Sequence, residues 1–424
     1  MVADDEFEVG STAAQPATDP RRRRARAGGA VPWLVTALVL ALAGVALAPP
    51  RGLPTNAHQP GAVGVLALDA SQPPEEVWRV SVGGWQGSMT PLTIVDEVAV
   101  ITTGEEAIGL SVHSGETLWS VPLGAATCTV HEALTCVERA SGTSSSILRI
   151  DVATGEEHRL DLPRTIAAID AGSDMVALAQ LDGEWMLQRV TSGGELRWAV
   201  SMKDLAVAPS GIQIGGTVLT ALGNKIYATF QGTALVVEAR SGAPLDEPAS
   251  AVIPTAYGYV RLSAPDGPTT LLDRDGTVLQ ENFVVAPDDD PASPDVLVRN
   301  DTSIAIERGG EVVWQTDPND WVMARVDGAL VTAREGSGGD TTVSGYDVAT
   351  GNQLWSSTGS VGARLAAGSV VLFSGAGETL TAVEARTGET LWSIGTQPIL
   401  DYGATADGII VHLGSELVRL SWPR

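Results

Sequence analysis

A short turn that ends in glycine and is followed four residues later by tryptophan recurs along most of this chain. The clearest copies are Ser114-Gly-Glu-Thr-Leu-Trp119, Thr350-Gly-Asn-Gln-Leu-Trp355 and Thr387-Gly-Glu-Thr-Leu-Trp392. A fixed period of this size indicates an array of small supersecondary units, and it restricts the architectures open to the chain more than any other feature.

The turn glycines are spaced 34 to 48 residues apart, which is the length that four short strands and their turns require. Between them lie short segments rich in Ile, Val, Leu and Ala, separated by Gly, Asp and Ser, without a sustained helical period. We therefore expect an all-β fold of antiparallel four-stranded units. The expected turn glycines are Gly115, Gly155, Gly194, Gly242, Gly276, Gly310, Gly351 and Gly388.

Each tryptophan is expected to have a structural role. Glycine adopts the positive φ of a tight turn, and the residue four positions later lies on the same face of the outer strand. An indole at that position can pack on the adjoining unit, which contributes about 2–3 kcal/mol. The expected docking residues are Trp78, Trp119, Trp198, Trp314, Trp355 and Trp392.

Two copies, Asp347-x-x-Thr350-Gly351-x-x-x-Trp355 and Glu384-x-x-Thr387-Gly388-x-x-x-Trp392, resemble the tryptophan-docking motif of pyrroloquinoline-quinone-type β-propellers. Several other copies are degenerate, and the resemblance extends over roughly residues 75 to 424. It implies a closed β-propeller, with eight blades favoured and nine left open. An outer strand at Val77–Val82 would complete the last blade by pairing with strands from Ile399 to Ser421, which removes exposed sheet edges.

The first 74 residues have a different composition. Residues 1–29 read as a disordered cytoplasmic tail with an Arg-rich end, and residues 30–48 form an uncharged apolar run about 28 Å long as a helix. We expect a single transmembrane helix with the N-terminus cytoplasmic; a cleaved signal and a buried helix are the alternatives. Residues 49–74 read as a linker and residues 75–424 as the propeller. The alternative assigns the apolar patch at 63–68 to the propeller as well.

Charge and cysteine content limit the partners and the compartment. The net charge of −25 repels nucleic acid and anionic lipid headgroups, so no nucleic-acid role is expected. Cys128 and Cys136 flank an expected hairpin and can form a disulfide in an extracytoplasmic location, with two buried free thiols as the alternative. Two cysteines without a second pair do not make a four-ligand zinc site.

No catalytic, cofactor or metal site is predicted. The quinone-dependent enzymes of the resembled family carry adjacent cysteines, which this chain lacks. Asp288, Asp289 and Asp290, with Asp295, have oxygen ligands suited to calcium, but a solvated loop is the preferred interpretation. His412, in an apolar strand, is interpreted as a core residue.

The sequence thus favours a membrane-anchored, extracytoplasmic propeller that acts as a non-catalytic scaffold for an envelope or membrane protein. This resembles the scaffold branch of the family. The alternatives are a divergent quinone-binding redox enzyme and a sensor of small ligands or carbohydrates.

Overall fold

The computed structural model describes residues 64–82, 92–103, 105–124, 126–131, 133–139, 145–202, 218–230, 233–246, 251–255, 258–262, 269–273, 275–281, 286–290, 293–300, 303–336, 341–359, 364–375, 379–397 and 399–422. The expected tail, the expected transmembrane helix and the first part of the expected linker lie outside these residues. Among the described residues, no helix is long and apolar enough to cross a membrane.

The described residues form 35 strands in nine sheets, and no helix is assigned among them. The short strands follow the apolar segments between Gly and Asp turns, and consecutive strands pair antiparallel. We number the sheets along the chain.

Sheets 1 to 3 have four strands each. Their strands are β3 (Thr93–Val95), β4 (Val98–Thr102), β5 (Glu106–Ser111) and β6 (Thr117–Pro122) in sheet 1; β7 (Ala126–Val130), β8 (Leu134–Arg139), β9 (Ser145–Ile150) and β10 (Glu157–Asp161) in sheet 2; and β11 (Thr165–Ala171), β12 (Asp174–Leu181), β13 (Glu184–Thr191) and β14 (Leu196–Ser201) in sheet 3.

Sheets 4 to 6 are less regular, and two of them have three described strands. Their strands are β15 (Val218–Leu222), β16 (Lys225–Phe230) and β17 (Thr233–Glu238) in sheet 4; β18 (Ala251–Thr255), β19 (Gly258–Leu262), β20 (Thr269–Leu272) and β21 (Val278–Gln280) in sheet 5; and β22 (Asp295–Asn300), β23 (Ser303–Arg308) and β24 (Glu311–Gln315) in sheet 6.

Sheets 7 to 9 are regular again, and strands from near the N-terminus join the last two. The strands are β25 (Trp321–Val326), β26 (Ala329–Glu335), β27 (Thr341–Asp347) and β28 (Gln353–Gly359) in sheet 7; β29 (Arg364–Ala367), β30 (Val370–Gly375), β31 (Thr379–Glu384) and β32 (Thr390–Gly395), with β1 (Val65–Leu66), in sheet 8; and β33 (Ile399–Thr405), β34 (Gly408–Leu413) and β35 (Glu416–Ser421), with β2 (Glu75–Ser81), in sheet 9.

The ring of sheets is closed by the strand pairing that the sequence predicts. Strand β2, which carries Trp78, pairs antiparallel with β35 and completes sheet 9. First strands of several neighbouring sheets contact one another, as β3 contacts β33 and β25 contacts β29, whereas the last strands are largely exposed. The first strands therefore line the inside of the ring and the last strands its rim.

The blade count differs from the favoured prediction. Nine sheets are described, so eight is wrong and nine, which the sequence left open, is right. The reason is that each glycine turn belongs to its own sheet, including the irregular turns at Gly276 and Gly310, and the composite of the two termini adds a ninth.

Buried apolar clusters join eight of the nine pairs of neighbouring sheets. The clusters consist mainly of Val, Ile, Leu and Ala side chains from facing strands, as Ala99 and Ile101 of sheet 1 pack with Ile410 and Leu417 of sheet 9. Of the described residues, none forms a cluster shared by sheets 5 and 6.

Candidate functional site: the junctions between the sheets

The acid and the threonine of the repeated motif build the turn. Asp347 Oδ1 accepts hydrogen bonds from the Thr350 main-chain N–H (3.0 Å) and hydroxyl (2.8 Å), and Asp151 makes the same bonds to Thr154 at 2.9 and 2.8 Å. These threonine hydrogen bonds lower the pKa of both carboxyl groups. The acidic position is thus part of the turn itself.

The glycine of each complete turn receives an indole from the preceding sheet. A Cβ at Gly351 would lie 2.6 Å from Trp314 Cγ, and its φ of +73° already disfavours any other residue. The Trp314 Nε1–H donates to the Val348 carbonyl at 2.8 Å. We call such a contact, an indole N–H donating to a main-chain carbonyl of the next sheet, a docked junction.

Six junctions are docked, and they use all six tryptophans named from the sequence. In five of them the acceptor lies three residues before the turn glycine of the next sheet. The donor–acceptor pairs are Trp78–Val112, Trp119–Val152, Trp198–Ala239, Trp314–Val348, Trp355–Ala385 and Trp392–Ala70.

The residue opposite the tryptophan in the neighbouring strand differs between sheets, and in sheets 6 and 8 it is Ile306 and Ala382. In sheets 1 and 7 it is Gly109 or Gly345, and a Cβ at Gly345 would lie 2.2 Å from Trp355 Nε1. In sheets 3 and 9 it is arginine, and the guanidinium reaches the next sheet. Arg189 Nη1 donates to the Ala239 carbonyl at 2.7 Å, and Arg419 Nη1 to the His113 carbonyl at 3.1 Å. These arginine clamps were not predicted from the sequence.

The junction between sheets 8 and 9 uses residues that the sequence analysis placed in the linker. Val65 and Leu66 are buried and pair with β29, while the Ala70 carbonyl accepts from Trp392 at 2.8 Å. Residues 64–74 therefore belong to the propeller, and the preferred linker interpretation is wrong for them. Pro73 stands where other turns have glycine, and Trp78 follows it by five residues, so the pattern was not recognised.

A second tryptophan, which the sequence analysis did not consider, seals the same junction. Trp422 is buried, and its Nε1–H donates to the Gln72 carbonyl at 2.9 Å. Its ring centroid lies 6.3 Å from that of Trp392.

Three junctions are undocked among the described residues: 2–3, 4–5 and 5–6. Gly194 faces Leu160 instead of an indole, Gly276 faces Leu222, and no atom lies within 4 Å of a Cβ built on Gly310. All three glycines keep a positive φ of 79° to 84°, so they form turns without accepting a tryptophan. In sheet 2, Arg159 occupies the tryptophan position and pairs with Glu138 of its own sheet.

The cysteines and the acidic loop have defined partners. Cys128 and Cys136 form a disulfide between β7 and β8. Asp288 is buried and accepts two hydrogen bonds from Arg325, at 2.8 and 2.5 Å. Asp295 pairs with Arg308, which lowers the pKa of its carboxyl group. The solvated-loop interpretation is therefore wrong for Asp288, because an arginine that the sequence does not place nearby holds it.

One cavity of about 320 Å³ lies between sheets 8 and 9. Its apolar wall includes Ile394, Val411 and Val418, and Glu76 and Arg79 lie at its polar side. The hydrogen bonds that Arg79 donates to Glu76 and Glu416 raise the pKa of its guanidinium above its usual range. Among the described residues, no group of three or more His, Cys, Asp or Glu side chains is arranged to hold a metal ion.

The ring of nine sheets and its indole-docked turns define the class: the chain is a β-propeller protein with pyrroloquinoline-quinone-like repeats. A family model described as outer membrane protein assembly factor BamB matches residues 292–398, which contain two complete copies of the motif.

Solved structures similar to this chain include a BamB protein and quinohemoprotein alcohol dehydrogenases. BamB from Moraxella catarrhalis is 11% identical, with a TM-score of 0.42, over 82% of this chain and 100% of that one. The quinohemoprotein alcohol dehydrogenase ADHIIG from Pseudomonas putida HK5 is 13% identical, with a TM-score of 0.45, over 87% and 80%. Quinohemoprotein alcohol dehydrogenase from Comamonas testosteroni is 14% identical, with a TM-score of 0.45, over 89% and 82%. No curated protein matches the sequence.

Proposed function

We propose that this protein is a non-catalytic, membrane-tethered scaffold that binds another protein through the outer strands of its propeller. The observation that carries the proposal is the distribution of exposed aliphatic side chains. Most of the large apolar side chains that are exposed lie on the last strand of a sheet, at the rim of the ring. They are Val77, Leu118, Leu196, Val278, Leu279, Val312, Val313 and Leu354.

Strand alternation explains why the residue directly before a docking tryptophan faces solvent. In β6, β24 and β28 the residue before the docking tryptophan points away from the junction, so Leu118 is 48% exposed while Trp119 is 7% exposed. In β24, Val312 and Val313 are both exposed, at 52% and 45%. Polar residues at these positions would keep the turns and the docking contacts unchanged, so the fold itself does not require aliphatic side chains there.

The last strand of most sheets is also an edge strand among the described residues. No further described strand pairs with its outer main-chain N–H and C=O groups, and such an edge can pair with an extended segment of another chain. In this mode main-chain hydrogen bonds supply affinity, and alternate side chains supply specificity. An edge that presents aliphatic side chains therefore favours an extended, partly apolar segment of a partner protein. The net charge of −25 favours a partner segment without acidic residues.

The proposal also includes the cellular location of the protein. An apolar run at residues 30–48 behind an arginine cluster supports a single membrane span with the propeller outside the cytoplasm. The disulfide between Cys128 and Cys136 fits an oxidising compartment. The partner is accordingly an envelope or membrane protein. Alkaline extraction of membranes tests the anchor: the full-length protein should stay in the pellet, and a variant without residues 30–48 should not.

Site-specific photocrosslinking in living cells tests the binding surface. A photoreactive residue at Val313 or Leu118 of the full-length protein should capture one reproducible envelope protein. The same residue at Ser114 or Ser241, in exposed turns, serves as the control and should capture that protein much less. Capture of the same protein from the turn positions alone would contradict binding at the rim.

One observation favours a second candidate, a sensor of small ligands. The cavity between sheets 8 and 9 reaches the lower end of the usual range of ligand sites. Titration of the full-length protein with small sugars and aliphatic ligands, followed by tryptophan fluorescence, tests it because Trp392 and Trp422 belong to the cluster that forms this junction. A quinone-binding redox enzyme stays an untested alternative, for which quinone-induced absorbance is the measurement.

A further inference from the structure

The junction between sheets 2 and 3 holds a buried polar layer in place of a docked indole. His131 and Thr135 face sheet 3 on the same side of sheet 2 as Val137 and Ile147, and Asp170 faces them from β11. Six buried side-chain atoms there have no hydrogen-bond partner in the part of the chain that the structure describes. They are both ring nitrogens of His131, Thr135 Oγ1, Arg149 Nε, Asp170 Oδ2 and Gln188 Nε2.

Asp170 is the group in this layer that most needs a cation. It has no exposed surface, and among the described residues its Oδ1 accepts only the Ala133 N–H, at 3.3 Å. Burying a carboxylate without an opposite charge or a full set of hydrogen bonds is strongly unfavourable. The side chain that faces its free Oδ2 is His131, which is 10% exposed.

The distance between these two groups suits a shared ion better than a direct hydrogen bond. His131 Nδ1 and Asp170 Oδ2 lie 3.6 Å apart, beyond the roughly 2.7–3.2 Å of an N–H···O hydrogen bond. Two ligands of one tetrahedral zinc ion, with bonds of about 2.0–2.2 Å, lie about 3.4 Å apart. Imidazole and carboxylate are both ordinary ligands of zinc and similar divalent ions.

We propose that this junction is a binding site for a divalent transition-metal ion, held by His131 Nδ1 and Asp170 Oδ2. The buried hydroxyl of Thr135 lies on the same face and is available to the ion or to a water molecule bound to it. The ion joins the β7–β8 hairpin of sheet 2 to β11 of sheet 3, at a junction where Arg159 has replaced the docking tryptophan. It supplies there the link between sheets that an indole supplies elsewhere.

The test uses zinc as the probe on the full-length protein purified with a chelator. Zinc should bind with about one-to-one stoichiometry at the tightest site and raise Tm, because an ion that binds only the folded state stabilises it. His131→Gln and Asp170→Asn should each weaken that binding at least tenfold and abolish the rise in Tm. For each variant, Tm with zinc is compared with Tm without zinc. A substitution that changes Tm in the absence of metal therefore does not affect the result.

The chain offers a matched control. His113 Nε2 lies 3.2 Å from Glu97 Oε1 at an exposed site in sheet 1, so it presents a similar pair without burial. His113→Gln should bind zinc as the unaltered protein does. If Asp170→Asn does not fold, nitrogen-15 NMR of the five histidine rings gives the answer, since only the signal lost in His131→Gln should shift with zinc. Absence of zinc binding, equal binding by His131→Gln, or loss of binding in His113→Gln would each overturn the proposal.

Discussion

The two arcs of the ring are held together differently. From sheet 6 through sheets 7, 8, 9 and 1 to sheet 2, every junction is docked by an indole N–H. Along the other arc, from sheet 2 to sheet 6, only the junction between sheets 3 and 4 is docked among the described residues. One propeller thus combines a continuous docked arc, which includes the closure of the ring, with an arc held mainly by apolar clusters.

Each arc places a histidine and an aspartate at a junction, but in different surroundings. At the docked junction of sheets 9 and 1, both Asp401 oxygens accept main-chain N–H groups, from Leu92 at 2.6 Å and Tyr402 at 2.8 Å. At the undocked junction of sheets 2 and 3, Asp170 has one such partner. Where docking sets the spacing of two sheets, main-chain groups satisfy the buried carboxylate. At the undocked junction, Asp170 Oδ2 has no hydrogen-bond partner among the described residues.

Removal of a docked indole should have the largest effect. We expect Trp392→Ala to lower the free energy of unfolding by about 3–5 kcal/mol, because the ring is buried and its N–H holds the Ala70 carbonyl. Denaturant titration of the full-length protein measures this. The control is Leu118→Ala at the exposed rim, which should change stability by no more than about 0.5 kcal/mol. An unchanged midpoint for Trp392→Ala would remove the argument that docking closes the ring.

Alanine at a turn glycine separates backbone strain from docking. Gly351 and Gly310 both have a positive φ, but only Gly351 lies under an indole. Gly310→Ala should cost about 1–2 kcal/mol, the strain of a left-handed backbone alone. Gly351→Ala should cost about 2–4 kcal/mol, since the added Cβ also displaces Trp314. Equal losses in thermal melts would show that contact with the indole adds nothing at this turn.

Two arginine substitutions allow a side-chain link between two sheets to be compared with a side-chain link inside one sheet. Arg189 of sheet 3 binds Asp174 at 2.9 Å and also the Ala239 carbonyl of sheet 4. Arg159 pairs with carboxylates of its own sheet, and its side chain is 46% exposed. Arg189→Met should cost about 1–3 kcal/mol, and Arg159→Met less than about 1 kcal/mol. If Arg159→Met proved the more damaging by chemical denaturation, the clamp between sheets would be unimportant.

The docked arc is the part of the fold that the sequence predicts well. The Gly-to-Trp spacing identifies most of its turns and indoles because the turn, the docking contact and the strand alternation depend on residues close together in the chain. Strand β2 and the closure of the ring follow from a different signal: the segment around Trp78 lacks three preceding strands, and the strands at the C-terminal end lack an outer one.

The features that the sequence analysis missed depend on residues that are distant in the chain. Asp288 meets Arg325, Arg189 meets Ala239, and His131 meets Asp170 only when sheets have packed against each other. Neither partner carries a local pattern, so spacing alone does not pair them. Residues 69–73 show the limit of the motif itself. Asp69 still caps its turn by accepting the Ser71 N–H at 2.9 Å, although Pro73 replaces glycine and hides the turn from the repeat.

The smallest expected effect concerns the pH dependence of the docked junction of sheets 9 and 1. Burial lowers the pKa of His412 below its usual value, so the imidazole stays neutral in the folded protein while it protonates at about pH 6.5 in the unfolded chain. A lowered pKa in the folded state means stability that is present above pH 6.5 and lost as the pH falls below it.

Replacing the imidazole removes this loss of stability, so thermal melts between pH 7.5 and pH 5 should show a shallower decline in Tm for His412→Asn than for the unaltered protein. The comparison is between the slopes of Tm against pH, so a loss of stability that is the same at every pH does not affect it. His113→Gln at an exposed site is the control. Burial raises the pKa of the neighbouring Asp401, so this carboxyl group works in the opposite direction and stabilises the fold at lower pH. Equal slopes for His412→Asn and the unaltered protein would mean that His412 is not kept neutral by burial at this junction.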